Sequence, residues 1–270
     1  VTPRSSGNSP GAGPHPPPKR GVASSRDPVV EPSALDDWPD LRWVDASACA
    51  LIWETAARTG ETGFDNLGFW QDAIGALGLD AVSPTIVFDD GRLTDAARVW
   101  FILQYFGVRA FILNGGRPAL AGEPSPLPAP TARFRARPGA GPVGLIDRDG
   151  LKARIGGGAA ILDARTAGEY RGQDLRGNPR GGHLPGARWL PHASLMDGPR
   201  LRPTAELRDL FSQAGFRSGD PIVTHCDGGG RAALAAAAAV RAGHAEVRVY
   251  YLSFADWARG DSCPIVQDRP

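Results

Sequence analysis

Cysteine is scarce in this chain: three in 270 residues, at positions 49, 226 and 263. They lie far apart and no Cys-x-x-Cys occurs, which excludes a disulfide framework and the common zinc-binding patterns. Net charge is scarce too. Thirty Lys and Arg face 29 Asp and Glu, leaving +1, and no basic stripe stands out, so nucleic acid is not an expected partner. No apolar run is long enough to span a membrane, and no membrane partner is expected. The first residues are Pro, Gly and Ser, with no apolar stretch of the kind a secretory leader needs. A cytoplasmic home is therefore the simplest reading; because the chain begins with Val1, a processed start and a periplasmic home stay open. What is present suffices for a core. The chain is 42% hydrophobic, at a length that suits one large or two modest domains.

Residues 1–33 are rich in Pro, Gly and Ser and include His15-Pro16-Pro17-Pro18. Such a stretch cannot bury enough apolar surface to order itself and is expected to be a disordered tail. Beyond it the chain alternates. Leu41–Ala46 reads as a strand, Trp70–Leu77 as a helix ending at Gly78, Thr85–Phe88 as a strand, 96–106 as a helix ending at Gly107, and Ala110–Leu113 as a third strand. This order predicts an α/β domain with a mostly parallel sheet. Residues 121–140 carry prolines that disfavour a regular element and read as an extended linker, with Arg133, Arg135 and Arg137 solvated along it.

The same order recurs afterwards. Gly78, Asp89, Asp90 and Gly91 map onto Gly215, Cys226, Asp227 and Gly228 at one offset of 137 residues (89 to 226). A constant offset across an element, its loop and the next strand argues an internal duplication. Asp45-Ala46 corresponds to Asp163-Ala164 at a shorter offset, so the first copy lacks a segment that the second keeps, the one holding Gly182-His183-Leu184-Pro185-Gly186-Ala187.

The second copy carries the chemistry. Ile222-Val223-Thr224 reads as a buried strand, and the alanine-rich run after Arg231 can only sensibly be a helix. Between them stand Cys226, Asp227, Gly228, Gly229, Gly230 and Arg231. Three glycines let the backbone curl so that N–H groups point inward, and the helix behind adds the positive end of its dipole. A thiol there is expected to ionise more readily than a free one, and an anion beside it to be held.

This Cys-x-x-x-x-Arg loop between strand and helix resembles the active loop of rhodanese sulfurtransferases. Ala160-Ile161-Leu162-Asp163-Ala164-Arg165, Glu169-Tyr170-Arg171-Gly172 and the Gly182–Ala187 stretch are similar to that family's upstream motifs and come in its order. The resemblance implies two rhodanese-like domains, each an open, mostly parallel sheet flanked by helices on both faces. The N-terminal one would span 34–120, shortened and catalytically silent because a carboxylate, Asp89, cannot carry a sulfane sulfur. The catalytic one would span 141–270. It further implies that Cys226 is the nucleophile, moving a sulfane sulfur from a small donor, thiosulfate or 3-mercaptopyruvate, to cyanide or a thiol through a persulfide. No metal or organic cofactor is implied.

Asp227, Gly228, Gly229, Gly230, Arg231 and Arg165 are grouped with the loop and its substrate. Arg231 either holds an anionic donor or pairs with Glu169 or Asp163; Arg165, by resemblance, braces the loop. His225, on an alternating strand, is expected to face away from the site, and His183 to orient the Leu184-Pro185-Gly186 turn. Arg171 is a rim candidate. Cys49 reads as core and Cys263 as a packed or surface thiol, with a resolving role open to it.

The loop departs from the family's usual ones at Asp227, since a carboxylate beside a thiolate repels a dianion unless it is turned away. Two other readings remain. One is a persulfide carrier or binding module without turnover. The other is a rhodanese-fold phosphatase or arsenate reductase, which would need five residues between Cys and Arg where four stand here.

Overall fold

A computed structural model describes residues 26–267 apart from 39, 59–62, 123, 125–133 and 158–159. Residues 1–25 and half of the expected linker, Arg133 included, lie outside the described residues.

The N-terminal half forms one parallel sheet from β1 (Val29–Val30), β2 (Arg42–Asp45), β3 (Thr85–Phe88) and β4 (Ala110–Leu113), in the order β1-β4-β3-β2. The central strands β3 and β4 are apolar runs buried on both faces, as inner parallel strands are, while the edge strand β2 is partly exposed. One face packs on α1 (Ala50–Arg58), α2 (Leu67–Gly75) and α3 (Thr94–Tyr105). On the other, Ile86, Phe88 and Phe111 meet Leu35 and Trp38 at a short 3₁₀ turn, Pro32–Asp37. α2 starts three residues before the sequence reading because the Asn66 side chain caps it, accepting from Phe69 N at 3.1 Å.

Two expectations are corrected. The boundary at residue 33 is too late, because Val29 and Val30 pair in parallel with Ile112 and Leu113. A β-branched pair at the edge of a sheet gains more from ladder bonds than the prolines upstream cost it. The flanking Asp27 and Glu31 then pair with Arg241. Of the expected linker, residues 121, 122, 124 and 134–140 are described, and the last stretch is tied down at both ends. Phe134 is buried, Arg137 N donates to Phe106 O, and Ala140 N donates to Tyr105 O, while Arg135 and residues 137–140 are exposed.

The C-terminal half opens with β5 (Val143–Leu145), α4 (Arg148–Lys152), β6 (Ala160–Asp163), α5 (Ala167–Tyr170) and β7 (Ala187–Trp189). A hairpin of β8 (Met196–Asp197) and β9 (Arg200–Leu201) follows. Then come α6 (Thr204–Gln213), β10 (Ile222–His225), α7 (Gly230–Ala242), β11 (Val247–Val249) and α8 (Ser253–Trp257). Its parallel sheet runs β5-β11-β10-β6-β7. Alternation along the strands sorts the two faces. Ile161 and Val223 pack toward α4 and α8, and Ala160, Leu162 and Ile222 toward α7.

The repeat is visible in the coordinates. β3, α3 and β4 correspond to β10, α7 and β11 at the 137-residue offset (85 to 222), and β7 has no partner strand in the first sheet. The two halves meet α3 against α7, and their inner faces form a single apolar core. Ala232 to Ala239 are fully buried at this seam. Alanine has little surface to bury. Its contribution is closeness, letting Trp100, Phe101 and Leu103 of α3 pack directly on a helix backbone. That closeness brings the α3 N-terminus beside the loop before α7.

Candidate active site

Cys226 follows the last residue of β10 and is 1% exposed. It lies at a cavity of about 720 Å³ between the halves, lined also by Asp227, Gly228, Gly230 and Arg231 from the loop, His192 and Arg176 from the C-terminal half, and Glu54, Thr94 and Arg98 from the N-terminal half. Its sulfur accepts from Gly229 N at 3.1 Å, and the Ser253 hydroxyl lies 3.8 Å away. α7 begins at Gly230 with Gly229 as its N-cap and no side-chain cap, so its first N–H groups are not consumed by a side chain.

The first copy solves the same problem differently. Asp89 occupies the equivalent position, buried, and its carboxylate accepts from Gly91 N (2.9 Å), Leu93 N (3.0 Å) and Ala96 N (3.1 Å). The anion that fills this cradle is part of the chain.

The loop is anchored from outside. Phe254 N donates to Cys226 O and Ala255 N to Asp227 O, at 3.0 and 3.2 Å. Cys226 N donates to Ser253 Oγ at 3.2 Å, and Ser253 itself sits at φ 59°. Gly228 O accepts from Arg98 Nη1 at 3.0 Å, across 130 residues of sequence. Gly229, at φ 98°, is held by shape: a Cβ there would stand 2.9 Å from Tyr251 O. Gly229 therefore packs on Tyr251 and does not line the cavity.

Arg231 pairs in a bidentate fork with Glu169, both bonds 2.7 Å. Of the two roles open to it, the pairing is made; part of the guanidinium still faces the cavity. Burial works against the Glu169 carboxylate, yet the Arg231 fork and the Thr166 N–H and hydroxyl outweigh it and hold its pKa down at about 2. Burial likewise opposes the Arg231 charge, and Glu169 restores it above the ordinary value. Glu169 also completes a capping box with Thr166 that starts α5, so one residue fixes a helix end and the loop cation together.

Only the grouping of Arg165 with the substrate is corrected; its contacts fit the bracing role. It does not line the cavity; it is 1% exposed, forks onto Asp163, donates to Gly182 O at 2.8 Å and lies over the Phe254 ring at 3.9 Å. A guanidinium with every face so engaged cannot reach a substrate. His225 is fully buried, 3.5 Å from Asp163, and its burial pushes its pKa down. It too stands off the cavity. His183 stacks on Tyr170 at 3.9 Å and forms a backbone bridge with Val266, which fits an orienting role. Arg171 is exposed and away from the cavity.

Asp227 lines the cavity and accepts from Asn178 Nδ2 at 2.7 Å. Cys49 is buried in the core, and burial, then Asp45, pushes its pKa up to about 12. Cys263 is buried beside a separate cavity with Arg180 and Ile265. Among the described residues no cluster of His, Cys, Asp and Glu could hold a metal, and no helix is long and apolar enough to cross a membrane.

Sequence reasoning missed Arg98, Glu54, His192, Asn178 and Ser253. Arg98 is 8% exposed, donates to Tyr251 Oη at 3.0 Å and pairs with Glu54 at 3.3 Å. Burial opposes its charge, but Tyr251, Glu54 and Cys226 together hold its pKa above the ordinary value. His192 is half-buried, and burial, then Arg231, pushes its pKa down, leaving it neutral at pH 7. The one available signal was that Arg98 interrupts an apolar run, residues 96–103, where a cation needs a partner.

Comparison with known proteins shows the family. The rhodanese-like domain family matches residues 147–259. The chain is 30% identical over 202 residues to the 3-mercaptopyruvate sulfurtransferase of Escherichia coli (strain K12), covering 72% of this chain and 71% of that protein. It is 33% identical over 204 residues to the probable 3-mercaptopyruvate sulfurtransferase of Pseudomonas aeruginosa, covering 70% of each. In fold it is similar to the 3-mercaptopyruvate sulfurtransferase from Leishmania major, with a TM-score of 0.67 at 22% identity over 87% of this chain and 75% of that one.

Proposed function

The chain belongs to the rhodanese-like sulfurtransferases, and from that premise we propose that Cys226 carries a sulfane sulfur between a small anionic donor and a thiophilic acceptor. The observation that carries this reading is the Cys226 sulfur lying against Gly229 N at 3.1 Å beside an inter-half cavity.

The cycle has two balanced steps. The Cys226 thiolate attacks the outer sulfur of thiosulfate; the S–S bond of the donor breaks and its electron pair leaves with sulfite. With 3-mercaptopyruvate the C–S bond breaks instead, and the thiol proton ends on the methyl carbon of pyruvate. Cyanide then attacks the outer sulfur of the Cys226 persulfide and departs as thiocyanate, returning the thiolate. The Gly229 N–H and the α7 N-terminus stabilise the anionic sulfur by fixed dipoles that need no reorganisation. Two half-reactions through one covalent intermediate give ping-pong kinetics.

The N-terminal half, residues 34–120 with the strand before it, acts in this reading as a silent scaffold. Asp89 fills the cradle that Cys226 leaves open for sulfur. Three free cysteines suit a reducing compartment, and the reading keeps the chain in the cytoplasm. The test is thiocyanate formation from thiosulfate and cyanide, run beside 3-mercaptopyruvate, for the parent and Cys226→Ser. Activity that vanishes in the variant, with a gain of one sulfur on the Cys226 peptide of the parent, is expected. A parent that gains no sulfur from either donor overturns the reading.

A further inference from the structure

The Gly228–Gly229 peptide sits between the Cys226 sulfur and the Arg98 guanidinium. Its N–H donates to the Cys226 sulfur at 3.1 Å, and its C=O accepts from Arg98 Nη1 at 3.0 Å. In a trans amide the two groups point in opposite directions, so a donor fixed on the oxygen side fixes where the hydrogen points. Little else does so. Glycine flanks the peptide on both sides, and a peptide between two glycines rotates at small steric cost. The two preceding carbonyls, of Cys226 and Asp227, are tied by backbone N–H groups of the C-terminal half. Among the described residues the third, of Gly228, is tied by one side chain, Arg98 from the N-terminal half.

That side chain is itself immobilised. Arg98 Nη1 also reaches Tyr251 Oη, and Nη2 pairs with Glu54 at 3.3 Å. Its Nε has no partner among the described residues, a cost that a residue serving only to pack the seam would avoid.

We propose that Arg98 is the positioning residue that keeps the 228–229 peptide turned toward the reacting sulfur. It makes the N-terminal half part of the active site, although that half has no nucleophile. The guanidinium also polarises the amide it holds, strengthening the bond on the other side. Without it the glycine-flanked peptide can flip, presenting a carbonyl oxygen to the sulfur, which opposes a thiolate and a persulfide alike. This role rests on Cys226 being the sulfur carrier.

The test measures sulfur reactivity without turnover. The full chain, as parent, Arg98→Met and Arg98→Lys, is treated with iodoacetamide from pH 5 to 9, and labelling of the Cys226 peptide is followed by mass spectrometry. Arg98→Met is expected to move the midpoint of the labelling profile up by about one pH unit, roughly a tenfold slower rate at pH 7. Arg98→Lys, whose ammonium can still donate to Gly228 O, is expected to recover part of it. Labelling of Cys49 and Cys263 in the same digests stays at parent levels if the fold is intact. A Met variant with the parent's midpoint overturns the proposal, even if it melts earlier. If the Met variant does not fold, Arg98→Leu, equally unable to donate to Gly228 O, takes its place, and the parent's midpoint in that variant overturns the proposal. Persulfide formation by the parent is a separate measurement, so failure of the sulfurtransferase reading and failure of this one are told apart.

Discussion

Replacing Glu169 by Gln should cost stability in a pH-dependent way whose size follows from its surroundings. The Glu169 side chain is 2% exposed and its partner Arg231 18% exposed. Two 2.7 Å bonds join them, and Thr166 N and Oγ1 also donate to the same carboxylate. The folded carboxyl is held at about 2 against an ordinary 4.5, and at 1.36 kcal/mol for each pH unit this is about 3 kcal/mol of preference for the folded state. The partial exposure of Arg231 trims the expected loss to about 2–3 kcal/mol, near the lower end for breaking a buried pair. Because the folded value is depressed, the stabilisation is fully present above about pH 4.5 and is lost as the pH falls toward 2. Urea melts of parent and Glu169→Gln at a series of pH values are the assay. At pH 7 the variant should be less stable by that amount, about 4–12 °C in melting temperature. The two curves should converge as the pH drops from 4.5 to 2. Curves that stay parallel, or a difference below about 0.5 kcal/mol at pH 7, would refute the assignment of Glu169 as a buried partner of the loop cation.

Other expectations follow from single contacts. Asp89→Ala removes the acceptor of three buried backbone N–H groups, at about 1 kcal/mol each; thermal melts should fall by about 6–12 °C, and an unchanged melt would show that the cradle needs no anion. Asp227→Asn leaves an oxygen to accept from Asn178 but removes a negative charge near the sulfur. KM for the thiosulfate dianion should drop about threefold to tenfold, and less for singly charged 3-mercaptopyruvate; equal KM values in parent and variant would count against a repulsive Asp227. Arg165→Met strands the buried Asp163 and should destabilise by about 3–5 kcal/mol, while KM for either donor, measured well below the melt, stays within about twofold because Arg165 touches no cavity.

The architecture could be read early because its signals are local. Strand runs such as Thr85–Phe88 and Ile222–His225 carry their burial in consecutive β-branched and aromatic residues, and both form as expected. The 137-residue offset needed only two similar stretches in one chain. α1 was not legible: Leu51 and Ile52 are largely exposed while Trp53 and Ala57 are buried, so its hydrophobic residues mark no clean face. The strand Val29–Val30 was hidden by its length, since two valines after a proline-rich tail become a strand only when Ile112 and Leu113 offer an edge.

By itself, the sequence determined which loop holds a cysteine between a strand and a helix, that its backbone can curl around an anion, and that one copy of the repeat carries a carboxylate in its place. These are properties of residue type and neighbour order, and glycine, cysteine and a helix start act over one turn of chain. Tertiary structure alone decided where the long charged side chains go. Arg231 reaches Glu169 across 62 residues, Asp227 is bonded by Asn178 across 49, and Arg98 reaches the Gly228 carbonyl across 130. A guanidinium on a flexible stem has several partners within reach in any sequence; packing selects among them, by burying the group where only the chosen ones can offset its desolvation.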